Sequence, residues 1–188
     1  SKKLIAIVST RKPTAYGRQV NREFAEYFAR KGISVVSGLA IGVDSLAHEA
    51  TLKAGGQAIA VLPSGLETIY PATNRPLADR IIKSYGTLLS EYEARHKPRK
   101  VEFLERNRII AAISDLVFIP EAAAYSGSLN TAAHALACGT PVAVVPGHIT
   151  APMSAGTNYL LKTGKARAVV TPQDCLELLG IKVDNQSQ

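Results

Sequence analysis

The sequence predicts an α/β fold in which a mostly parallel β-sheet is covered by helices on both faces. Short runs of branched apolar residues alternate along the chain with longer amphipathic segments. These runs lack the polar alternation of half-exposed strands, which indicates strands buried on both faces. Of the 188 residues, 46% are hydrophobic and 20% are charged, so the chain can bury one sizeable core.

The first predicted strand is LIAIVS (4–9). After a polar turn, GRQVNREFAEYFARKG (17–32) predicts a helix because large apolar residues recur on one face: Val20, Phe24, Tyr27 and Phe28. Gly32 is a stop signal at its end. The alternation then repeats as the strand ISVVSG (33–38), a helix over 43–56 with Asp44 as its expected N-cap, and the strand QAIAVLP (57–63).

The same pattern continues to the end of the chain. It predicts a helix over 75–84, the strand TLLSEY (87–92), a basic loop, a helix ending at Ser114 and the strand DLVFIP (115–120). There follow a helix near 128–138, the strand PVAVVPG (141–147), a short helix ending at Gly164, the strand ARAVV (166–170) and a helix from Pro172 to Leu179. Residues 1–180 are therefore expected to form one doubly wound, Rossmann-like domain with three α/β/α layers. The polar tail 181–188 is expected to be disordered.

Several classes of protein are disfavoured by what the sequence lacks. It has neither a run of about 18 apolar residues nor a signal peptide, so we expect a cytoplasmic protein without membrane contact. Cys138 and Cys175 show no metal-ligand spacing and are expected to be small buried apolar residues. The four histidines are scattered, and we assign no metal or other cofactor.

The charge is positive and unevenly distributed. The formal net charge is +7, which favours a polyanionic partner. Around one segment the excess is local, because only Glu102 and Glu105 oppose six cations: Arg95, Lys97, Arg99, Lys100, Arg106 and Arg108. This segment leads into the helix that ends at Ser114.

In a doubly wound sheet, ligands bind where the loops after the strands meet helix N-termini. Those loops carry groups that bind phosphate: STRKPTAYG, SGLAIGVD, PSGLETIYPATNR, EYEARHKPRK, PEAAAYSGSLNT and PGHITAPMSAGTN. Neither GxGxxG nor GxxxxGK[ST] occurs, so the signatures of dinucleotide and nucleoside triphosphate sites are missing. The SGS at 126–128 is typical of an anion cradle or of a plain helix start.

Six separated motifs, taken in order, closely resemble the DprA (Smf) family of DNA-processing proteins. They are STRKPTAYGRQV, VVSGLAIGVDSLAHEATLKAGGQAIAVLPSGLETIYPATNRPLA, GTLLSEY, FLERNRIIAAISD, EAAAYSGSLNTAAHALACGTPVAVVPG and GTNYLLKTGKA. The resemblance implies an extended Rossmann fold that binds single-stranded DNA, forms a homodimer and helps to load the RecA recombinase during natural transformation. It also shows departures: Ser9 stands where the family usually has glycine, and Ile41 stands where it often has arginine.

The resemblance indicates three site residues most directly, namely Arg11, Lys100 and Phe103. The two cations would neutralise phosphates, and the ring would stack on a base instead of packing in the core. Helical spacing places Arg106 and Asn107 beside Phe103, whereas Arg108 faces another side and could hold a neighbouring loop by a salt bridge. The remaining expected contacts are Thr10, Lys12, Gly38, Ser126, Gly127, Ser128 and Thr131, and Asn74 could orient the loop after Tyr70 and Pro71.

Two other functions remain open at this point. Lonely-guy-type phosphoribohydrolases use a similar pocket, but their PGGxGTxxE signature is replaced here by PEAAAYSGSLNTAAH, which lacks the paired glycines and the downstream glutamate. A sensor of mononucleotides would fit the same anion cradle. The favoured hypothesis is a single-stranded DNA-binding protein without catalytic turnover.

Overall fold

The computed structural model describes residues 2–182, and a single seven-stranded sheet organises them. The strands are β1 (Leu4–Ile7), β2 (Ser34–Ser37), β3 (Ala58–Val61), β4 (Thr87–Leu89), β5 (Leu116–Ile119), β6 (Val142–Val144) and β7 (Arg167–Ala168). Their order is β4-β3-β2-β1-β5-β6-β7, and each pair of neighbours is parallel. The predicted α/β Rossmann-like class is confirmed.

In the described part of the chain, seven helices follow the strands: α1 (Ala15–Arg30), α2 (Val43–Lys53), α3 (Arg75–Lys83), α4 (Glu102–Ile113), α5 (Gly127–Ala137), α6 (Ala155–Lys162) and α7 (Pro172–Leu178). Short 3-10 turns at Ala72–Asn74 and Pro152–Ser154 precede α3 and α6. α1, α2, α3 and α7 cover one face of the sheet, and α4, α5 and α6 cover the other. The predicted three layers are therefore present.

Aromatic packing anchors α1 to the centre of the sheet. The rings of Phe24 and Phe118 stack with centroids 4.4 Å apart, and Phe28 meets Phe118 edge to face at 6.3 Å. All three are buried. Because α1 directly follows β1, this packing also fixes where the loop between them emerges.

The winding of the chain creates a crevice at the centre of the sheet. β1 pairs with β2 on one side and with β5 on the other, and the later strands extend outward from these two. The chain thus reverses its direction across the sheet between β1 and β5. Their carboxyl ends flank the place where doubly wound proteins bind ligands.

Some local predictions are wrong. Asp44 is not the N-cap of α2, because Gly42 holds that position and the Asp44 carboxylate accepts hydrogen bonds from the Gly38 and Ala40 amides of the preceding loop. Cys138 is exposed, since it caps the C-terminus of α5, whereas Cys175 is buried as expected. All the strands are shorter than predicted, the interior β6 as well as the edge strands β4 and β7.

Residues 183–188 of the predicted disordered tail lie outside the described residues, although Ile181 packs against the core. Within residues 2–182, no helix combines the length and apolarity that crossing a membrane requires.

Candidate nucleic-acid interface

A small cavity opens at the carboxyl edge of the sheet, between the loop after β1, the start of α2, the first turns of α4 and the N-terminus of α5. Its volume is about 90 Å³. It brings together most of the predicted site residues: Thr10, Arg11, Phe103, Arg106, Asn107, Gly127, Ser128 and Thr131. A wider open groove adjoins it and shares Thr10, Arg11 and Gly127 with it.

The exposed side of the cavity is formed by an aromatic ring and a cation. Phe103 is half-buried on α4, and its ring meets the Tyr70 ring edge to face with centroids 5.4 Å apart. The guanidinium carbon of Arg11 lies over the Phe103 ring, 5.2 Å from its centroid. Asn74 donates its side-chain amide to the Leu39 carbonyl at 2.8 Å, which links the turn after Tyr70 and Pro71 to the loop after β2.

Arg106 forms the floor of this cavity. Its side chain is buried, and Nη1 donates to the carbonyl oxygens of Gly38, at 2.7 Å, and of Val61. Burial lowers the pKa of Arg106, and the neighbouring Arg11 guanidinium lowers it further. Asp44 supplies opposing charge, although burial raises the pKa of its own carboxyl. The floor is therefore a desolvated cation held by strand-end carbonyls.

Gly38 is required at this position for steric reasons. A Cβ atom there would lie 2.4 Å from both terminal nitrogens of Arg106, far inside contact distance. Its N–H donates to Asp44 and its carbonyl accepts from Arg106, so both of its backbone polar groups are already used. Gly38 thus allows the Arg106 side chain to pack against the strand ends. This arrangement indicates that Gly38 supports the site and does not contact a ligand directly.

Asn107 joins α4 to the start of α5. Its Nδ2 donates to the Asn130 side chain at 3.2 Å and to the Gly127 carbonyl at 3.5 Å, and its Oδ1 accepts from Arg106 Nε at 3.2 Å. Phe103, Arg106 and Asn107 do share one face of α4, as their spacing predicts. Only the ring reaches outward from that face, because the other two side chains are buried.

The N-terminus of α5 borders both the cavity and the groove. Ser126 is the N-cap, and its Oγ accepts from the Ser128 amide at 3.3 Å and lies 2.7 Å from the Ser128 hydroxyl. Apart from the chain neighbours and the backbone of α5 itself, no atom of residues 2–182 lies within 4 Å of where a Cβ of Gly127 would be, so the approach to this end is open. Thr131 is buried behind it. The helix dipole makes such an end favourable for an anion.

Three of the arginines in and around the basic loop are held by carboxylates. Arg95 pairs with Glu67 at 2.9 Å, Arg99 with Glu102 at 2.7 Å, and Arg108 with Glu91. The Arg108 contact confirms its predicted loop-holding salt bridge. Lys100 is exposed and, among residues 2–182, has no ion pair, as is true of Lys12 in the loop after β1. These two lysines are outside the cavity lining and remain available to a ligand.

Glu102 organises the basic loop from the first turn of α4. Its buried carboxylate accepts from the Arg99 backbone amide at 2.7 Å and from the Arg99 side chain, and it lies 2.9 Å from His96 Nε2. These hydrogen bonds, the backbone one foremost, lower the pKa of Glu102 to about 2. The charge pattern alone presents Glu102 as one of two acids opposing the cations, and does not reveal that it fixes the loop.

Glu121 is a second structural residue that sequence reasoning misses. It directly follows Pro120 at the end of β5, is buried, and accepts from the Thr14 amide at 2.9 Å and the Thr14 hydroxyl at 2.8 Å. Thr14 in turn caps α1 by accepting from the Gly17 amide at 2.9 Å. Ser9 donates its hydroxyl to the Glu121 carbonyl. The loop that carries Thr10, Arg11 and Lys12 is thereby tied at both ends.

A protein-family model matches nearly the whole chain. Residues 1–180 match the family described as DNA recombination-mediator protein A. The chain belongs to this family.

Among relatives in the DNA recombination-mediator protein A family, the DNA processing protein DprA of Bacillus subtilis is 43% identical over 175 residues, which cover 93% of this chain and 58% of the relative. Protein Smf of Escherichia coli is 42% identical over 175 residues, covering 93% of this chain and 46% of that protein. The chain thus spans about half the length of the curated relatives it matches.

Solved structures of the family superpose closely. DprA from Streptococcus pneumoniae has a TM-score of 0.86 at 36% identity, covering 94% of this chain and 61% of that one. DprA from Helicobacter pylori, described with a unique single-stranded DNA binding mode, has a TM-score of 0.82 at 36% identity, covering 94% and 80%. A molybdenum cofactor binding protein from Rippkaea orientalis shares the fold alone, with a TM-score of 0.69 at 20% identity, covering 96% of each chain.

Proposed function

We propose that this chain is a single-stranded DNA-binding domain without catalytic turnover that serves DNA processing and recombination in natural transformation. One observation carries the proposal: a half-exposed ring, Phe103, lies beneath the Arg11 guanidinium at the carboxyl edge of the sheet. A ring and a cation in contact at one edge match the bases and phosphates of an unpaired strand, because the ring can stack on a base once the Arg11 guanidinium moves to a neighbouring phosphate. Arg11 also lies close enough to the buried Arg106 to lower its pKa, and this concentration of positive charge favours an anion.

The proposed contacts divide by exposure. Phe103 stacks on a base, while the exposed cations Arg11, Lys12 and Lys100 neutralise phosphates, and the open α5 N-terminus at Ser126, Gly127 and Ser128 accepts a further phosphate near Thr10. Gly38, Arg106, Asn107 and Thr131 support these groups from beneath. Because phosphate charge and stacking carry little base information, binding is expected to tolerate many sequences.

Family membership supports the finer parts of the proposal. The H. pylori relative is described as binding single-stranded DNA. The model that matches residues 1–180 describes a recombination mediator. The resemblance of the six motifs implies more than these descriptions print, and on that ground we extend the proposal to a homodimer that assists RecA loading in the cytoplasm.

A phosphoribohydrolase or a mononucleotide sensor is the second candidate, and the site geometry disfavours it. The carboxylate that lines the cavity, Asp44, is buried and accepts from two backbone amides, so it is poorly placed for acid-base work. The cavity of about 90 Å³ is also small beside the roughly 300–1,000 Å³ of typical small-molecule sites. An extended strand that crosses the adjoining groove fits this shape better.

The deciding experiment titrates labelled oligo-dT of increasing length, beside AMP and other mononucleotides, at several salt concentrations. For a DNA binder, affinity grows with length and falls with salt, with a log-log slope of about −0.7 per neutralised phosphate. Arg11→Glu and Lys100→Glu should each weaken every oligonucleotide and reduce that slope, whereas Lys162→Glu, an exposed charge reversal on α6, should not. Tight binding or hydrolysis of a mononucleotide without length dependence would refute the proposal.

A further inference from the structure

A second groove lies away from the carboxyl edge, on the helical face of the protein where α1, α2 and α3 meet. Its volume is about 640 Å³. Five cations line it, contributed by all three helices: Arg18, Arg22, Lys53, Arg80 and Lys83. Glu26 and Glu49 are the acids on its walls. The groove is therefore a distinctly positive surface.

Most of this positive charge is uncompensated within the protein. Glu26 is already paired with Arg30, 2.7 Å away. In the part of the chain that the structure describes, no ion pair joins Arg22, Lys53 or Lys83 to an acid, and the side chains are exposed. Like charges that converge without partners raise the local potential and favour binding of an external anion.

The helix dipole explains only some of these cations. Lys53, Arg80 and Lys83 lie in the last turns of α2 and α3, where a positive charge stabilises the helix by itself. Arg18 and Arg22 instead lie in the first half of α1, the positive half of its dipole, and the first turn of α1 contains no acid. Their placement gains nothing from the dipole. Arg22 also has no ion pair among the described residues, so a contact outside the chain is the better explanation for Arg22.

The groove connects with the candidate DNA site through Arg18. Its Nη1 donates to the carbonyl of Pro13 at 2.7 Å, and Pro13 ends the loop that carries Arg11 and Lys12. Arg18 therefore places a cation between the loop that carries Arg11 and Lys12 and the groove. Among the described residues that line the groove, none is aromatic, so it offers contacts for phosphates but no ring for base stacking.

We propose that this groove is a second track for the phosphate backbone, which takes the continuation of the single strand as it leaves the Phe103 site. This inference rests on the proposed function, because it extends the path of the same single-stranded DNA along the protein surface. A strand long enough to reach both surfaces gains extra phosphate contacts there, and a short one does not.

The test compares two double charge reversals on two oligonucleotides. Arg22→Glu with Lys83→Glu changes the groove, and Lys162→Glu with Arg167→Glu makes the same change in net charge at the opposite end of the sheet. The probes are oligo-dT of about 5 and about 20 nucleotides, chosen around the range of site sizes seen in single-strand binders. Salt titrations are run on each, with thermal melting as the check on folding.

Loss of two phosphate contacts should lower the salt slope for the longer oligonucleotide by about 1.4 and its affinity roughly ten- to thirty-fold near 0.1 M salt. Binding of the shorter one should be unchanged, and the control pair should alter neither. The milder pair Arg22→Gln with Lys83→Gln should show a smaller loss of affinity and of salt slope for the longer oligonucleotide. This pair provides the test if the charge reversals impair folding.

The inference is overturned if the groove pair matches the control pair on the longer oligonucleotide, or if it weakens both lengths equally. Failure of the proposed function has a different signature. In that case Arg11→Glu would leave binding of the short oligonucleotide intact, whatever the groove variants do.

Discussion

Replacement of Arg106 by methionine separates a supporting residue from a DNA contact. Methionine keeps much of the apolar stem but removes the guanidinium, so the Gly38 and Val61 carbonyls lose a charge-assisted donor and Asp44 loses its buried counter-charge. Removing one member of a buried charged cluster costs about 3–5 kcal/mol. Asp44 can relieve part of this cost by taking up a proton, because burial already raises its pKa. We therefore expect a loss near the lower end, about 3 kcal/mol.

Urea unfolding measures this loss. With a slope of about 2 kcal/mol per molar urea, a loss of about 3 kcal/mol lowers the midpoint by roughly 1.5 M. In the folded fraction, the salt slope of oligo-dT binding should stay unchanged, because the buried guanidinium touches no phosphate. A change in stability of less than about 0.5 kcal/mol together with a fall in the salt slope of about 0.7 would instead show that Arg106 contacts DNA directly.

Gly38→Ala perturbs the contact between Gly38 and the Arg106 guanidinium by changing Gly38 instead of Arg106. The new methyl group would lie 2.4 Å from the Arg106 nitrogens, so the guanidinium must leave its carbonyl partners. We expect a comparable loss of stability in the native background and much less in an Arg106→Met background, where the clash is removed. Strict additivity of the two losses in this double-mutant cycle would show that the two residues do not interact.

Three further predictions concern single side chains. Phe103→Ala should weaken oligo-dT binding by about 1–3 kcal/mol with an unchanged salt slope, and a folding defect without an affinity loss would instead place the ring in the core. His48 is buried, neither ring nitrogen has a hydrogen-bond partner among the described residues, and burial lowers its pKa to about 3. Because the unfolded chain takes up this proton below its ordinary pKa of 6.5 and the folded chain does not, stability falls as the pH drops from about 6.5 to about 3. His48→Leu should flatten this decline in pH-dependent urea unfolding without destabilising the protein at pH 7, and an unchanged decline would contradict the assignment. Glu121→Ala removes both acceptors of Thr14, so amide hydrogen exchange over residues 9–17 should accelerate and oligo-dT affinity should fall, whereas protected amides would show that Glu121 does not hold the loop.

The site residues identified from the motifs fall into two groups in the structure. Phe103 and Arg11 lie in contact at the carboxyl edge, as a binding role requires. Arg106 and Gly38 also lie at that edge, but they are buried, and their polar groups are bonded to each other and to Asp44 and Val61. A motif marks residues that a site needs, and it does not distinguish those that touch the ligand from those that hold the touching residues in place.

The sequence by itself determined the strand and helix alternation, the parallel sheet and the edge at which the candidate site lies. These features depend on local periodicity and on the rule that links parallel strands to their carboxyl ends, and both can be read from neighbouring residues. Tertiary structure decided three other features. Glu121 pairs with Thr14, Gly42 and not Asp44 is the N-cap of α2, and Arg22 and Lys83 line the same groove. Each of these features either joins residues that are distant in the chain or depends on the orientation of a side chain. Local sequence patterns carry neither kind of information, so tertiary packing determines these features.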